Sequence, residues 1–252
     1  MRTRSRHDQD IWIVGYNPVK EAFSRPDMAV KELVLARDDQ RSAELRTMAE
    51  RCGIPVRRQT DDALSALTGD THHQGVAARA EEFRYTPLGA FFRRPIEERH
   101  PLIILDSIQD PQNLGALIRS ACFLGAKGMV LPQDRSARIT SAVIKIAAGA
   151  TAHLPVIQVV NLAQTLDLLK ESGLWIVGLD VEGKQSLYQA DLSPPLGLVV
   201  GNEQKGLRPL VRRHCDFLVR IPASGPLQSL NAATAGAIAL AEVQRQRLAI
   251  RT

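Results

Sequence analysis

Apolar runs alternate with amphipathic stretches along the chain, and they divide it into two segments of different character. In the first segment, compact runs such as "IWIVGY" (11–16) and "KELVLA" (31–36) predict strands, and stretches such as "SAELRTMAERCG" (42–53) predict helices. Together these elements predict a small α/β domain over residues 1–84, which is long enough to fold by itself.

The periodic pattern stops between residues 85 and 101. The stretch "YTPLGAFFRRPIEERHP" contains three prolines and two adjacent arginines, and its apolar positions follow no regular period. This composition indicates a linker between domains, with a surface loop inside one domain as the alternative.

From residue 102 onward the apolar runs are longer and more continuous. Runs such as "LIILDSI" (102–108) and "LGLVVG" (196–201) predict strands that are buried on both faces. Helical patterns between them, and a long final helix from about residue 229 to 248, predict a mostly parallel sheet in a second α/β domain over residues 102–252. The glycine-rich loops of the usual dinucleotide and phosphate-binding folds are absent from the sequence.

The helix predicted for "DPQNLGALIRSACFLG" (110–125) combines an apolar stripe with two polar residues outside it. Asp110 suits the N-cap and Pro111 suits the first turn. Asn113 and Arg119 lie off the stripe, near the carboxyl end of the preceding strand, where open α/β sheets bind ligands. A surface residue and a solvated helix charge are the simpler interpretations of these two side chains taken alone. The stripe predicted to be buried consists of Leu114, Leu117, Ile118, Ala121 and Cys122.

Two later stretches repeat this design of buried strand, loop and polar residues. In "VVGNEQKGLRP" (199–209), Gly201 and Gly206 permit close backbone approach or a positive φ, and Glu203 lies between them. The simpler interpretation is a glycine-bounded turn with a solvated acid. Because the carboxyl ends of parallel strands meet at one edge of a sheet, we expect the three loops to form one site.

The third stretch is "VRIPASGPLQSLNAATAGAIALAEVQRQR" (219–247). Ser229 and Asn231 open a helix rich in small residues, and such a surface lets a neighbouring element or a second subunit pack closely. A helix N-cap is the simpler interpretation of Ser229.

Composition narrows the class of protein. The chain of 252 residues is 44% hydrophobic and 23% charged, as expected of a globular protein. Its net charge of +5 mildly favours a polyanionic partner, and the start "MRTRSR" resembles a flexible basic arm. The three cysteines are far apart and show no metal-ligand spacing, which favours a reducing cytoplasm and no metal. Neither a signal peptide nor an apolar run near the ~20 residues of a membrane span is evident.

Three stretches, "DPQNLGALIRSA", "GNEQKG" and "IPASGPLQSLNAATA", resemble in this order the motifs of the SpoU family of RNA ribose 2′-O-methyltransferases. In the first segment, "GYNPVKEAF" and "QGVAA" are similar to the N-terminal substrate-binding domain of bacterial 23S rRNA guanosine 2′-O-methyltransferases. The resemblance covers nearly the whole chain. It implies methyl transfer from S-adenosylmethionine to a ribose 2′-hydroxyl of 23S rRNA, on a guanosine.

The resemblance also implies a fold and an assembly that periodicity does not predict. The family's catalytic domain contains a deep trefoil knot that holds the cofactor, although topology rules make knots rare. The family forms homodimers through this knotted domain, so we expect a cytoplasmic homodimer that does not bind membranes.

Site residues follow from the resemblance by motif position. Arg119 matches the family's catalytic arginine, and since a guanidinium stays protonated we expect an electrostatic role rather than that of a general base. Asn113 matches the asparagine that positions the substrate or Arg119. Glu203 matches the acid that orients Arg119 or the ribose, and Ser229 and Asn231 match the polar pair of the third motif. The cofactor's adenosine is expected to contact backbone at Gly201, Ile221 and Leu230.

Two alternatives stay open at this point. One is a tRNA ribose methyltransferase of the same family, although such enzymes lack a first domain of this kind. The other is a non-catalytic RNA-binding factor in ribosome assembly, which would not need all five polar residues of the motifs. A small-molecule methyltransferase fits poorly with a separate first domain and a basic second half.

Overall fold

A computed structural model describes residues 10–24, 28–92, 100–227 and 229–249, so the basic start "MRTRSR" lies outside the described residues. The chain forms two compact units. The first comprises residues 1–84 and 139–152, and the second comprises residues 85–138 and 153–252.

The elements are as follows in chain order. The strands are β1 (Ile11–Val14), β2 (Val30–Leu35), β3 (Val56–Arg58), β4 (Val76–Ala80), β5 (Leu102–Asp106), β6 (Gly128–Pro132), β7 (Val156–Val159), β8 (Trp175–Leu179), β9 (Gln185–Ser186), β10 (Leu196–Gly201) and β11 (Phe217–Arg220). The helices are α1 (Tyr16–Phe23), α2 (Gln40–Arg51), α3 (Asp61–Thr68), α4 (Leu88–Phe92), α5 (Pro111–Phe123), α6 (Ser141–Ala147), α7 (Leu162–Glu171), α8 (Pro209–His214) and α9 (Ala232–Ala249), with a 3-10 turn at Ala150–Ala152.

The first unit contains a mixed sheet in the order β1-β4-β2-β3. Strand β4 pairs antiparallel with both β1 and β2, while β2 and β3 are parallel. The predicted alternation of strands and helices over this segment is confirmed. Helix α6 and the 3-10 turn belong to this unit although the sequence pattern placed them in the second domain, because α6 packs against β1.

The second unit contains a seven-stranded sheet in the order β7-β6-β5-β10-β8-β11-β9, and the strand pairings in its described part are parallel. Its central strands are buried on both faces. On one face, Ile104 and Val199 join a core cluster with Leu166 of α7, and on the other face Gly236 of α9 lies against Leu117 of α5. The continuous apolar runs therefore correctly predicted a parallel sheet covered by helices on both sides.

The predicted linker contains structure of its own. Within residues 85–101, the described part includes α4, and Phe91 on this helix is buried in the core cluster of the second unit. The five-residue helix is too short to show a helical period, which is why the sequence pattern missed it.

Helix α5 begins and ends close to where the sequence predicted. Oδ1 of Asp110 accepts the backbone N–H of Gln112 at 3.0 Å, and Pro111 occupies the first turn. Cys122 is the exception on its stripe, since it is only half-buried.

Helix α9 begins at Ala232, later than predicted. Oδ1 of Asn231 accepts the backbone N–H of Thr234 at 2.7 Å, so Asn231 rather than Ser229 is the N-cap. The small residues of α9 have an explanation within the chain, because Gly236 lets the helix approach α5 closely. None of the helices in the described ranges combines the length and hydropathy needed to cross a membrane.

Candidate active site

A cavity of about 1040 Å³ lies at the carboxyl ends of β8, β10 and β11 in the second unit. Its walls are the loops that follow these strands, with lining residues within 179–182, 200–207 and 220–230, together with Arg212 of α8 and Ala232 and Ala235 of α9. Parallel strands place the loops that follow them at one edge, and ligands bind at this edge in open α/β sheets. The volume suits a ligand of nucleoside size or larger.

Of the eight site residues predicted from the sequence, the structure places five in the wall of this cavity. They are Gly201, Glu203, Ile221, Ser229 and Leu230. Asn113, Arg119 and Asn231 do not line it. The loops of the second and third motifs thus form the wall. The first motif contacts this wall through the side chain of Asn113.

Asn113 connects the first motif to the second. Its Nδ2 donates a hydrogen bond to Oε1 of Glu203 at 2.6 Å, and only 9% of the Asn113 residue surface is exposed. The expectation that Asn113 lies off the buried face of α5 is therefore wrong. The first turn of this helix packs beneath the loop that follows β10, and this contact is invisible in the helical periodicity of α5 alone.

Arg119 remains apart from this contact. It is exposed on α5, and within the described residues it has neither a hydrogen bond nor an ion pair. It lies six residues after Asn113, which on an ideal helix is about 9 Å along the axis and about 120° away around it. An exposed, uncompensated guanidinium is suited to binding an anion such as an RNA phosphate.

The two polar residues of the third motif occupy different environments. Ser229 is exposed in the cavity wall, where its hydroxyl is accessible to a ligand. Oδ1 of Asn231 caps α9. This bond fixes the side chain and therefore the direction in which its Nδ2 donor points.

The loop after β10 has a tight, internally bonded shape. Asn202 and Gly206 exchange backbone hydrogen bonds of 3.1 and 2.9 Å, and Gly206 has a φ of +63°. Oδ1 of Asn202 also accepts the backbone N–H groups of Gln204 and Lys205. A Cβ on Gly201 would lie 2.4 Å from the backbone carbon of Gly206, so this turn requires glycine at position 201.

Sequence reasoning missed the charged residues of the cavity wall. Nη1 of Arg212 lies 2.8 Å from Oε2 of Glu182 and 3.7 Å from Oδ2 of Asp180. The hydrogen bond to Glu182 and the nearby carboxylate of Asp180 raise the pKa of Arg212. Arg212 lies on α8, whereas Asp180 and Glu182 lie in the loop after β8, and no local pattern in the sequence indicates that they meet.

A second missed feature is the carboxylate at the end of β5. Asp106 is fully buried, and Arg208 contacts it through both its backbone N–H and its Nε. An acid directly after the apolar run "LIIL" was a signal for this contact, because a strand end buried on both faces leaves little access to water.

The fold and the cavity define an α/β protein with a ligand-sized cavity at the carboxyl edge of a parallel sheet, accompanied by a separate small α/β unit. Residues 100–241 match the model of the SpoU rRNA Methylase family, and residues 12–86 match the model described as RNA 2′-O ribose methyltransferase substrate binding. The chain belongs to the SpoU rRNA methylase family.

Two curated relatives illustrate the similarity. A 23S rRNA (guanosine-2′-O-)-methyltransferase RlmB of Xanthomonas campestris pv. campestris is 41% identical over 244 residues, which cover 95% of this chain and 98% of the relative. An uncharacterized tRNA/rRNA methyltransferase of Synechocystis is 52% identical over 187 residues, which cover 73% of this chain and 48% of the relative. This second match spans about half of the relative's length.

A solved structure shares the architecture of both units. The SpoU methyltransferase AviRb from Streptomyces viridochromogenes, in complex with the cofactor AdoMet, superposes with a TM-score of 0.80 at 25% identity. The superposition covers 95% of this chain and 91% of AviRb. The predicted family, the α/β fold class and the parallel catalytic sheet are confirmed.

Proposed function

We propose that the protein transfers a methyl group from S-adenosylmethionine to the 2′-hydroxyl of a guanosine ribose in 23S rRNA. The observation that carries the proposal is the hydrogen bond between Asn113 and Glu203. It joins the first and second motifs of the methylase family at the wall of a cavity large enough for the cofactor. The near-full-length similarity to RlmB supports 23S rRNA guanosine as the substrate.

The cavity residues fit S-adenosylmethionine. Gly201 presents backbone without a side chain, and a Cβ there would collide with the turn that forms the wall. We propose that Gly201, Ile221 and Leu230 hold the adenosine through backbone groups, so that two apolar residues can line the site of a polar ligand. When bound, the cofactor supplies an electrophilic sulfonium methyl group.

Arg119 is proposed to act on the ribose and its neighbouring phosphate. A guanidinium offers hydrogen-bond donors and no acceptor, so Arg119 stabilises negative charge on the 2′-oxygen while the hydroxyl proton passes to solvent. Its exposed position and lack of a partner among the described residues leave its donors available for a phosphate.

Glu203 is proposed to orient the polar groups around the ribose. Its Oε1 is occupied by Asn113, which fixes the carboxylate and leaves Oε2 to accept a further hydrogen bond. Ser229 in the cavity wall and Asn231 at the start of α9 complete the proposed polar set. Holding reacting groups in line contributes roughly 7–11 kcal/mol in well-oriented systems.

The first unit is proposed to bind the rRNA around the target nucleotide, as the description of its family model supports. We further propose a cytoplasmic homodimer formed through a knotted second unit. Family membership supports the knot, and Phe123 at the end of α5, which is 86% exposed, supports a further contact surface on that unit. Sedimentation equilibrium measures the oligomeric state directly.

A methyl-transfer assay tests the proposal. Purified protein is incubated with radiolabelled S-adenosylmethionine and either unmodified 23S rRNA or bulk tRNA, followed by nucleoside analysis. We expect label on a 2′-O-methylguanosine of 23S rRNA and its loss in Arg119→Ala, with Arg213→Ala as an exposed arginine control on α8.

Each other outcome changes a defined part of the proposal. Label on tRNA alone contradicts the substrate and retains the chemistry. An absence of label on both RNAs, together with an absence of cofactor binding by calorimetry, favours a non-catalytic RNA-binding factor. Activity in Arg119→Ala equal to that of the wild type contradicts the role of Arg119 only.

A further inference from the structure

Asp106 at the end of β5 is completely buried, and its carboxylate forms an ion pair with an arginine from another loop. Its Oδ2 accepts the backbone N–H of Arg208 at 2.7 Å, and its Oδ1 accepts Nε of the same residue at 2.5 Å. Asp106 therefore receives two hydrogen bonds from a residue 102 positions later in the chain.

A second bond ties the same two loops. Nδ2 of Asn202 donates to the backbone carbonyl of Ser107 at 3.1 Å. Ser107 has a φ of +65°, which is unusual for a residue other than glycine, and its Oγ donates to Oδ1 of Asp106 at 3.2 Å. A serine holds this conformation only where its surroundings fix it.

These contacts are placed at the two ends of one cavity wall. Gly201 pairs with Asp106 in the sheet, and the loop that follows leaves the sheet at Asn202 and reaches α8 after Arg208. Residues 203–207 between the two ties all line the cavity. The loop that forms this wall is thus attached to the end of β5 at both of its own ends, through Asn202 and through Arg208.

A buried ion pair is a poor way to gain stability alone. Removing a carboxylate from water costs several kcal/mol, and well-packed apolar residues in its place are often as stable or more so. Because Arg208 is also partly accessible, with 36% of its side chain exposed, the pair adds little to the core. The pair instead fixes the path of the loop after β10, because it holds Arg208 at the end of β5.

We propose that Asp106 and Arg208 are positioning residues that hold the loop of residues 202–208 in the shape that binds S-adenosylmethionine, with Asn202 as the second attachment. The inference rests on the proposed function, since it assigns a purpose to contacts around the proposed cofactor cavity. Neither side chain touches the reacting atoms. Breaking the pair weakens cofactor binding and leaves the chemical step of the bound enzyme largely intact.

The test compares Arg208→Gln with Arg208→Lys, and it uses Arg213→Gln as the control. Arg213 is exposed on the adjoining α8, so the same change there removes a charge without touching Asp106. The first readout is the dissociation constant of S-adenosylmethionine by calorimetry. The second is amide hydrogen exchange of residues 201–207 without cofactor, which reports loop order independently of activity.

For Arg208→Gln we expect the cofactor dissociation constant to rise roughly 10- to 100-fold, as for the loss of a hydrogen bond to a charged group. Hydrogen exchange of the loop becomes faster, the KM for the cofactor rises in parallel, and kcat at saturating cofactor changes by less than about threefold. Both variants keep the backbone bond to Asp106, but only Arg208→Lys keeps the charge, so we expect it to recover part of the affinity.

Unchanged cofactor affinity in Arg208→Gln overturns the inference, as does a fall in kcat at unchanged affinity. If circular dichroism shows that Arg208→Gln is unfolded, Asn202→Asp decides the question. It removes the Nδ2 donor to Ser107, keeps the Oδ1 acceptor of the turn, and is expected to show the same split between KM and kcat. A wild-type chain that binds no S-adenosylmethionine overturns this inference and the proposed function together. Normal binding by the wild type and by all of these variants overturns the inference alone.

Discussion

Nδ2 of Asn113 donates a hydrogen bond to Oε1 of Glu203 across 2.6 Å, although 90 positions separate the two residues. The contact brings the helix after β5 and the loop after β10 together at the proposed site. Since Asn113 is almost fully buried, its amide has little alternative contact with water, and its loss leaves the carboxylate of Glu203 without that donor.

Asn113→Asp is expected to reduce methyl transfer strongly. The new carboxylate replaces a donor with a like charge beside Glu203, which drives the two side chains apart and displaces Glu203 from its place in the cavity wall. We expect kcat/KM to fall by about 100-fold, the scale of a 1 Å displacement in an active site. Steady-state kinetics on 23S rRNA measures the change.

The matched control is Gln112→Glu, which converts an exposed amide into a carboxylate one position earlier on α5. Activity close to that of the wild type is expected there, because the added charge remains in solvent at a helix N-terminus. Equal losses in the two variants contradict a specific role for the contact between Asn113 and Glu203.

Gly201→Ala is expected to abolish cofactor binding. The added Cβ would lie 2.4 Å from the backbone carbon of Gly206 and 2.6 Å from its oxygen, so the turn must open. Calorimetry with S-adenosylmethionine measures the loss. Gly89→Ala is the control, since Gly89 lies in α4 with no atom within 4 Å of the position of its Cβ. Tight binding by Gly201→Ala contradicts the close approach at this turn.

Gly236→Val is expected to destabilise the second unit by about 1–3 kcal/mol, as in other overpacked cores. Already the first added carbon at Gly236 would lie 2.6 Å from Cδ2 of the buried Leu117. Urea unfolding measures the difference. Ala241→Val introduces the same side chain on the exposed face of α9 and is the reference. Helix propensity alone would favour Gly236→Val over this reference, because valine is a better helix former than glycine and a poorer one than alanine. Similar unfolding midpoints for the two variants contradict close packing between α5 and α9.

Lys145→Gln is expected to destabilise the first unit at neutral pH and to have no effect in acid. Nζ of Lys145 lies 2.6 Å from Oδ2 of Asp70, and this hydrogen bond is the main cause that lowers the pKa of Asp70 below 3.8. A carboxyl group whose folded-state pKa is lowered stabilises the fold above its unfolded pKa. That contribution is lost as the pH falls through the folded pKa.

The effect of Lys145→Gln at pH 7 is expected to be roughly 0.5–1 kcal/mol, as for a partly exposed ion pair. Urea unfolding from neutral pH down to below 3.8 measures it, and Asp70→Asn in both backgrounds isolates the pair. A difference between wild type and Lys145→Gln that persists unchanged in acid contradicts the role of the Asp70 carboxylate.

The sequence by itself determined the two segments of regular structure, the parallel sheet and the family. Continuous apolar runs produce strands buried on both faces, and capping residues such as Asp110 act on backbone groups two or three positions away. Such interactions are local, so a single stretch of sequence contains all the information they need. The three motif stretches pointed to the correct family because each of them carries its chemistry within a dozen residues.

Tertiary structure alone decided which polar residues meet. Asn113 is buried by a loop that follows 90 positions later, Asn231 rather than Ser229 caps α9, and Asp106 is held by Arg208 from a distant loop. These contacts depend on how β5 and β10 become neighbours in the sheet, and no local period records that pairing. The type of a polar residue determines which hydrogen bonds it can donate or accept, whereas the fold decides which partner comes within reach.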